Sequence, residues 1–118
     1  SLPGSKSTYH LLNEEALTHV KKQPIFVNVG RGTLMDSNVL EKALKENIFS
    51  GAYIDVTDPE PLPKDSSLWN TNNLIITPHV TGGYHLDETL NRIVQISATN
   101  IKNYCEGKKI INRVNLED

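Results

Sequence analysis

Arg31, Glu60 and His79 are the residues whose types could do chemistry together. Arg31 stands between Gly30 and Gly32, after the apolar run Ile25, Phe26, Val27 and Val29, which only Asn28 interrupts. Glu60 lies between Pro59 and Pro61, and His79 follows Thr77-Pro78. A guanidinium holds a carboxylate through a two-pronged fork of hydrogen bonds. An imidazole gives and takes a proton near neutral pH, and a carboxylate on its other ring nitrogen fixes the tautomer. The three together can polarise a carbonyl beside a carboxylate and protonate its oxygen. Taken singly, each has a plainer reading: a solvated Arg in a tight turn, a soluble Glu in a proline loop, a histidine capping a strand end. Asp55 has one too, as an Asx turn that ends a strand.

The elements that must position these side chains follow an α/β order. Residues 25–29 read as a parallel strand covered on both faces, and the flanking glycines let the chain turn sharply and a ligand approach. Residues 51–56, ending at Asp55, and 74–77, ended by Pro78, read as two more strands. Asn13 caps a helix over 14–22, with Glu14 and Glu15 in its first turn and Lys21 and Lys22 in its last. Pro24 forbids its continuation. Asp36 caps a second helix whose Val39, Leu40, Ala43 and Leu44 share a face and which ends near Asn47. Three prolines in residues 59–63 make a stiff loop. Residues 66–69 predict one helical turn, with Leu68 and Trp69 packing inward. A long amphipathic helix is predicted over 85–106, with Leu86, Leu90, Ile93, Val94, Ser97, Ile101 and Tyr104 at helical spacing and Gly107 as its terminator. Helix, strand, helix, strand, loop, strand, helix gives a parallel sheet with helices on its faces. Arg31, then Asp55 and Glu60, then His79 thereby gather at the carboxyl ends of three strands, where open α/β sheets bind ligands.

Composition narrows the classes. At 118 residues, 37% hydrophobic and with a formal charge of -2, the chain is one ordinary domain in size and shows no basic footprint for nucleic acid. No apolar run reaches membrane-spanning length and no signal-peptide pattern opens the chain, so a cytoplasmic location is expected. The lone Cys105 is expected to be a packed helix thiol in a reducing compartment. His10, His19 and His85 have no partner pattern, and no pair of ligand residues has zinc spacing, so no metal site is expected. Ser1-Leu2-Pro3 reads as the end of a strand that nothing precedes, so the chain is expected to be part of a larger protein.

The separated motifs 28–32 (NVGRG), Asp55-Val56 with 58–63 (DPEPLP), Leu68-Trp69 and 73–82 (NLIITPHVTG) resemble the NAD-dependent D-isomer-specific 2-hydroxyacid dehydrogenases, and the likeness runs from Leu2-Pro3 to roughly Gly107. The resemblance implies a partial Rossmann-like, doubly wound parallel sheet. Residues 1–84 would be the second half of the NAD-binding domain. Residues 85–118 would be a helix and tail returning toward a substrate domain that, like the G-x-G-x-x-G loop, lies outside this chain. It implies Arg31 as anchor of the substrate carboxylate and carbonyl, Glu60 as partner of the histidine and His79 as acid/base. Cofactor contacts are implied at Pro3, Thr8, Val29, Gly30, Arg31, Asp55 (near the nicotinamide carboxamide), His79, Val80, Thr81 and Gly82. The cofactor is NAD, with NADP left open because the selecting residue is elsewhere. The partners implied are a small 2-oxo or 2-hydroxy acid and a second copy of the intact protein. Departures are modest: Thr57 where an aromatic is common, Lys6-Ser7 for a usual Pro-Glu, and Thr81 at a variable place.

The resemblance supports hydride transfer to or from C2 of such an acid, with this portion inactive alone. Two alternatives share the fold: a dinucleotide-sensing corepressor, which retains the triad, and a non-catalytic homologue. No cationic cluster accompanies Arg31, which gives no support to a phosphorylated substrate.

Overall fold

The structure is a computed structural model that describes residues 1–84 and 86–113. The chain divides into two compact units, Ser1–Val80 and Thr81–Asp118.

In the first unit three strands, β1 (Ile25–Asn28), β2 (Gly51–Ile54) and β3 (Leu74–Ile76), form a parallel sheet in the order β1-β2-β3. Phe26 pairs with Ala52 and Ala52 with Leu74, so successive residues alternate faces in step across the sheet. On one face Phe26, Ala52, Ile54, Leu74 and Ile76 meet Leu17 of α1 (Glu14–Thr18), Leu40, Ala43 and Leu44 of α2 (Ser37–Lys45), and Met35, Phe49 and Leu68 from the connections. Phe26 and Phe49 stack with centroids 5.2 Å apart. On the other face Ile25, Val27 and Ile75 are 70%, 55% and 62% exposed, so among the described residues β1 is covered on one face and not on both.

The caps are those the side chains allow. Asn13 accepts from the Ala16 amide at 3.0 Å and Asp36 from the Asn38 amide at 2.7 Å. The first helix is shorter than its charge pattern predicts, ending at Thr18 with no basic residue in its last turn. Thr18 turns its hydroxyl back onto the Glu15 carbonyl (2.7 Å), and Lys22 and Gln23 take left-handed backbone before Pro24. The second helix stops at Lys45, and Asn47 in left-handed backbone turns the chain toward β2. Ser67–Asn70 form the expected single turn, with Leu68 2% exposed. Trp69 does not pack inward: it is 52% exposed, its indole N–H tied to the Pro63 carbonyl at 2.8 Å.

In the second unit α3 (Asp87–Cys105) carries Asp87 and Glu88 in its first turn, and Gly107 ends it at φ +65° with its N–H on the Tyr104 carbonyl (3.2 Å). His85, where the helix was expected to start, lies outside the described residues. Asn100 pairs twice with the backbone of Ile111 (2.9 and 3.0 Å), folding the following segment back along the helix. No residue of α3 is buried, and Leu90, Ile93, Val94, Ile101 and Tyr104 are exposed. Cys105, at the end of this unburied helix, is exposed as well, so it is not a packed thiol. No described helix is long and apolar enough to cross a membrane.

Candidate active site

The carboxyl end of each strand hands over to a loop that its own side chains shape. After β1, the buried Asn28 accepts the Gly30 N–H at 3.1 Å and donates to the Arg31 carbonyl at 2.9 Å, closing the turn that carries the arginine. Gly32 is required sterically, since a Cβ there would lie 2.0 Å from the Thr57 carbonyl oxygen. The Arg31 loop and the loop leading to Glu60 are therefore in backbone contact. Gly30 abuts Leu2 in the same manner, where a Cβ would come within 2.9 Å of the Leu2 carbonyl oxygen, and Gly4 lies against the aliphatic stem of Arg31. Thr8 folds the first loop by donating to the Pro3 carbonyl at 2.8 Å. Pro3, Thr8, Val29, Gly30 and Arg31 thus belong to adjoining loops, and the guanidinium turns back onto the Gly30 carbonyl (2.9 Å).

After β2, Asp55 is 1% exposed. Its carbonyl accepts the His79 N–H at 2.9 Å, and its carboxylate accepts the Val80 N–H at 3.0 Å and the Thr77 hydroxyl. Asp55 thereby braces the turn after β3, in which the His79 N–H also meets the Thr77 carbonyl (3.1 Å) and His79 adopts left-handed backbone at φ +52°. The proline loop returns Glu60 to that turn. Its Oε1 meets His79 Nδ1 at 2.6 Å, with the two side chains 44% (His79) and 41% (Glu60) exposed. This leaves Nε2 of His79 as the ring nitrogen for other chemistry. A pocket of about 190 Å³ adjoins the pair, lined by Asp55, Thr57, Glu60 and His79 with apolar surface from Leu62, Trp69 and Ile76; Arg31 is not among its lining residues.

The structure therefore joins Glu60 to His79 and hangs His79 and Val80 on Asp55. It places Arg31 on the loop touching the Thr57–Asp58 backbone. Thr81 and Gly82 fall in the second unit, where Gly82 has φ +89° and open space around it. His10, expected to lack a partner, stacks on Tyr9 (3.9 Å) with Nε2 3.8 Å from the Asp58 carboxylate. Two site-shaping residues escaped the sequence reading: Asn28, whose signal is a polar side chain in an otherwise apolar strand, and Thr77, whose hydroxyl partners are remote in sequence.

An open parallel α/β sheet with a carboxylate–imidazole contact at the carboxyl ends of its strands has its candidate site where such sheets bind ligands, nucleotides among them. A family model for the NAD binding domain of D-isomer specific 2-hydroxyacid dehydrogenase matches residues 1–81, and the chain belongs to that family. It is 37% identical over 116 residues to a glyoxylate reductase of Korarchaeum cryptofilum, covering 98% of this chain and 34% of the relative. A D-isomer specific 2-hydroxyacid dehydrogenase of Xanthobacter autotrophicus Py2, crystallised with NADPH and MES, is 32% identical with a TM-score of 0.81, over 97% of this chain and 46% of that one. A probable 2-hydroxyacid dehydrogenase of Rhizobium etli, crystallised with NADP, HEPES and L(+)-tartaric acid, is 28% identical with a TM-score of 0.76, over 97% and 36%. The chain spans about a third of the length of the curated relatives it matches. These relatives are reductases and dehydrogenases, and they lend no support to the corepressor alternative.

Proposed function

We propose that the protein containing this chain reduces a small 2-oxo acid, glyoxylate or a close analogue, to the 2-hydroxy acid with NADH or NADPH, and runs the reverse oxidation. The observation that carries this reading is the contact between His79 Nδ1 and Glu60 Oε1, 2.6 Å, accessible at the carboxyl edge of the sheet. A glyoxylate reductase among its relatives and neighbours crystallised with NADPH or NADP support the substrate and cofactor classes. Residues 1–84 act as the later part of the dinucleotide domain, and 85–118 as the helix and tail returning toward the substrate domain.

The residues present suit a dinucleotide. Gly30 and Gly32 let the turn after β1 pack directly on the backbone of Leu2 and Thr57, and Pro3, Thr8, Val29, Arg31, Asp55, His79 and Val80 all lie on loops at or beside the strand ends. Thr81 and Gly82 continue the last of these loops. A bound nicotinamide supplies hydride to C2 in reduction and accepts it in oxidation. Arg31 holds the substrate carboxylate and polarises the adjacent carbonyl. As the electron pair displaced from the C=O bond collects on oxygen, protonated His79 delivers a proton from Nε2, and Glu60 stabilises the imidazolium at the other nitrogen. In oxidation neutral His79 takes that proton.

The test is turnover of glyoxylate and larger 2-oxo acids by the full-length protein with NADH and NADPH. His79→Ala should lower kcat by roughly 10²- to 10⁴-fold, the contribution of a positioned acid–base group, with cofactor affinity little changed. Undiminished turnover in His79→Ala would remove the histidine from this role.

A further inference from the structure

A chain of hydrogen bonds runs into the His79 turn from the sheet itself. Thr77 Oγ1 lies 2.9 Å from the Tyr53 hydroxyl and also contacts Asp55 Oδ1. The Thr77 hydroxyl donates to Asp55 Oδ1, which also accepts the Val80 N–H, so the single Thr77 proton points at the carboxylate. Tyr53 is then the donor to Thr77. The direction is fixed throughout: Tyr53 O–H to Thr77 O–H to Asp55.

Asp55 in turn holds the Val80 N–H through its carboxylate and the His79 N–H through its carbonyl. Left-handed backbone at a residue with a Cβ is strained and persists where surrounding contacts over-determine it. At His79, φ +52°, those contacts come from Asp55, with the Thr77 carbonyl sharing the His79 N–H at 3.1 Å. Tyr53 lies in the middle of a cross-strand row, opposite Val27 on one side and Ile75 on the other, both exposed. Apolar packing in that row needs no hydroxyl.

We infer that Tyr53 and Thr77 are positioning residues for the His79–Glu60 pair, orienting the Asp55 carboxylate that holds the Val80 N–H and so closes the turn in which His79 is left-handed. The catalytic consequence rests on the function proposed above, whereas the effect on the turn does not.

The experiment compares Thr77→Val, Thr77→Ser, Tyr53→Phe and His79→Ala in the full-length protein, by steady-state kinetics and by hydrogen exchange of the His79 and Val80 amides. Valine keeps the shape of threonine without its hydroxyl, and serine keeps the hydroxyl. Thr77→Val should speed exchange most at the Val80 amide, which the Asp55 carboxylate holds, and less at the His79 amide, and should lower kcat about tenfold with KM for the oxo acid within about twofold, as loss of one hydrogen bond to a charged acceptor implies. Thr77→Ser should restore both readouts to within about twofold of the parent, and Tyr53→Phe should show the same signs with about a threefold loss of kcat. Should Thr77→Val fail to fold, Tyr53→Phe alone decides. Unchanged amide exchange in the hydroxyl-deleted variants overturns the inference, as does a Thr77→Ser variant as impaired as Thr77→Val. If His79→Ala retains full turnover, the proposed function fails, and the amide exchange still decides whether Tyr53 and Thr77 hold the turn.

Discussion

Gly32→Ala is the smallest change that should disturb both loops of the site at once. The added methyl would stand 2.0 Å from the Thr57 carbonyl oxygen, 2.1 Å from its carbon and 2.8 Å from the Asp58 nitrogen. All three are backbone atoms, so no side chain can swing aside. Ordinary contact begins near 3.4 Å, and the two loops must therefore part by well over an ångström. Asn28 resists this on one side, through its bonds to Gly30 and Arg31. On the other, Ser37 holds the Asp58 carbonyl at 3.0 Å. Forcing one methyl into such a contact costs about 1–3 kcal/mol. A displacement of about 1 Å at the reacting groups costs about 10²-fold in rate. Thermal unfolding and kcat/KM for the oxo acid, measured on the same preparations, give both quantities. Gly107→Ala is the comparison: a Cβ at Gly107 meets nothing within 4 Å, so its cost is confined to backbone strain at φ +65°. A Gly32→Ala protein with parental melting temperature and parental kcat/KM would refute the contact between the loops, and with it the steric reason for glycine at this position.

Other expectations follow from the same geometry. Asn28→Ala removes both side-chain bonds that close the arginine turn and should cost about 2 kcal/mol in denaturant unfolding, with KM for the oxo acid raised because Arg31 is less fixed. Glu60→Gln, which can still pair with Nδ1 but carries no charge, should lower kcat roughly 10²-fold in steady-state assays, and a parental rate would show that the charge beside His79 is idle. The Lys45 ammonium on Glu41 (2.7 Å) holds that carboxyl below its ordinary range, with a smaller contribution in the same sense from Ser67. A group whose folded pKa is depressed adds stability above its unfolded pKa and loses it as pH falls through the folded one. Glu41→Gln should thus lose less than about 0.5 kcal/mol at neutral pH, and the gap between the two unfolding curves should close in acid. A gap that widens in acid would reverse the assignment.

What could be read from the sequence, and what could not, divides along a physical line. Arg31, Asp55 and His79 were legible as strand-end residues because each follows an apolar run stopped by Gly-Arg-Gly, by an acid or by proline. Punctuation of that kind acts locally. The caps at Asn13 and Asp36 were legible for the same reason. The early end of α1 was not, because the charge pattern of Glu14, Glu15, Lys21 and Lys22 states only what a helix would favour. The competing Thr18 back-bond and the left-handed pair Lys22 and Gln23 appear once the chain must reach Pro24. Trp69 and Cys105 were expected inside on residue type alone; Trp69 is the exposed neighbour in a turn that buries Leu68, and Cys105 belongs to a helix with no buried residue.

The deepest omission was the polar scaffold beneath the site. Asn28 interrupts an apolar strand and Thr77 extends one, and a hydropathy pattern scores both as blemishes. Their partners settle their meaning: Gly30 and Arg31 for the first, Tyr53 and Asp55 for the second. Tyr53 and Asp55 lie more than twenty residues from Thr77, and only the parallel pairing of Ile54 with Ile76 brings them to hand. The reacting residues are visible in one dimension because their neighbours in sequence are unusual. The residues that aim them become visible when strand register converts distance along the chain into contact across the sheet.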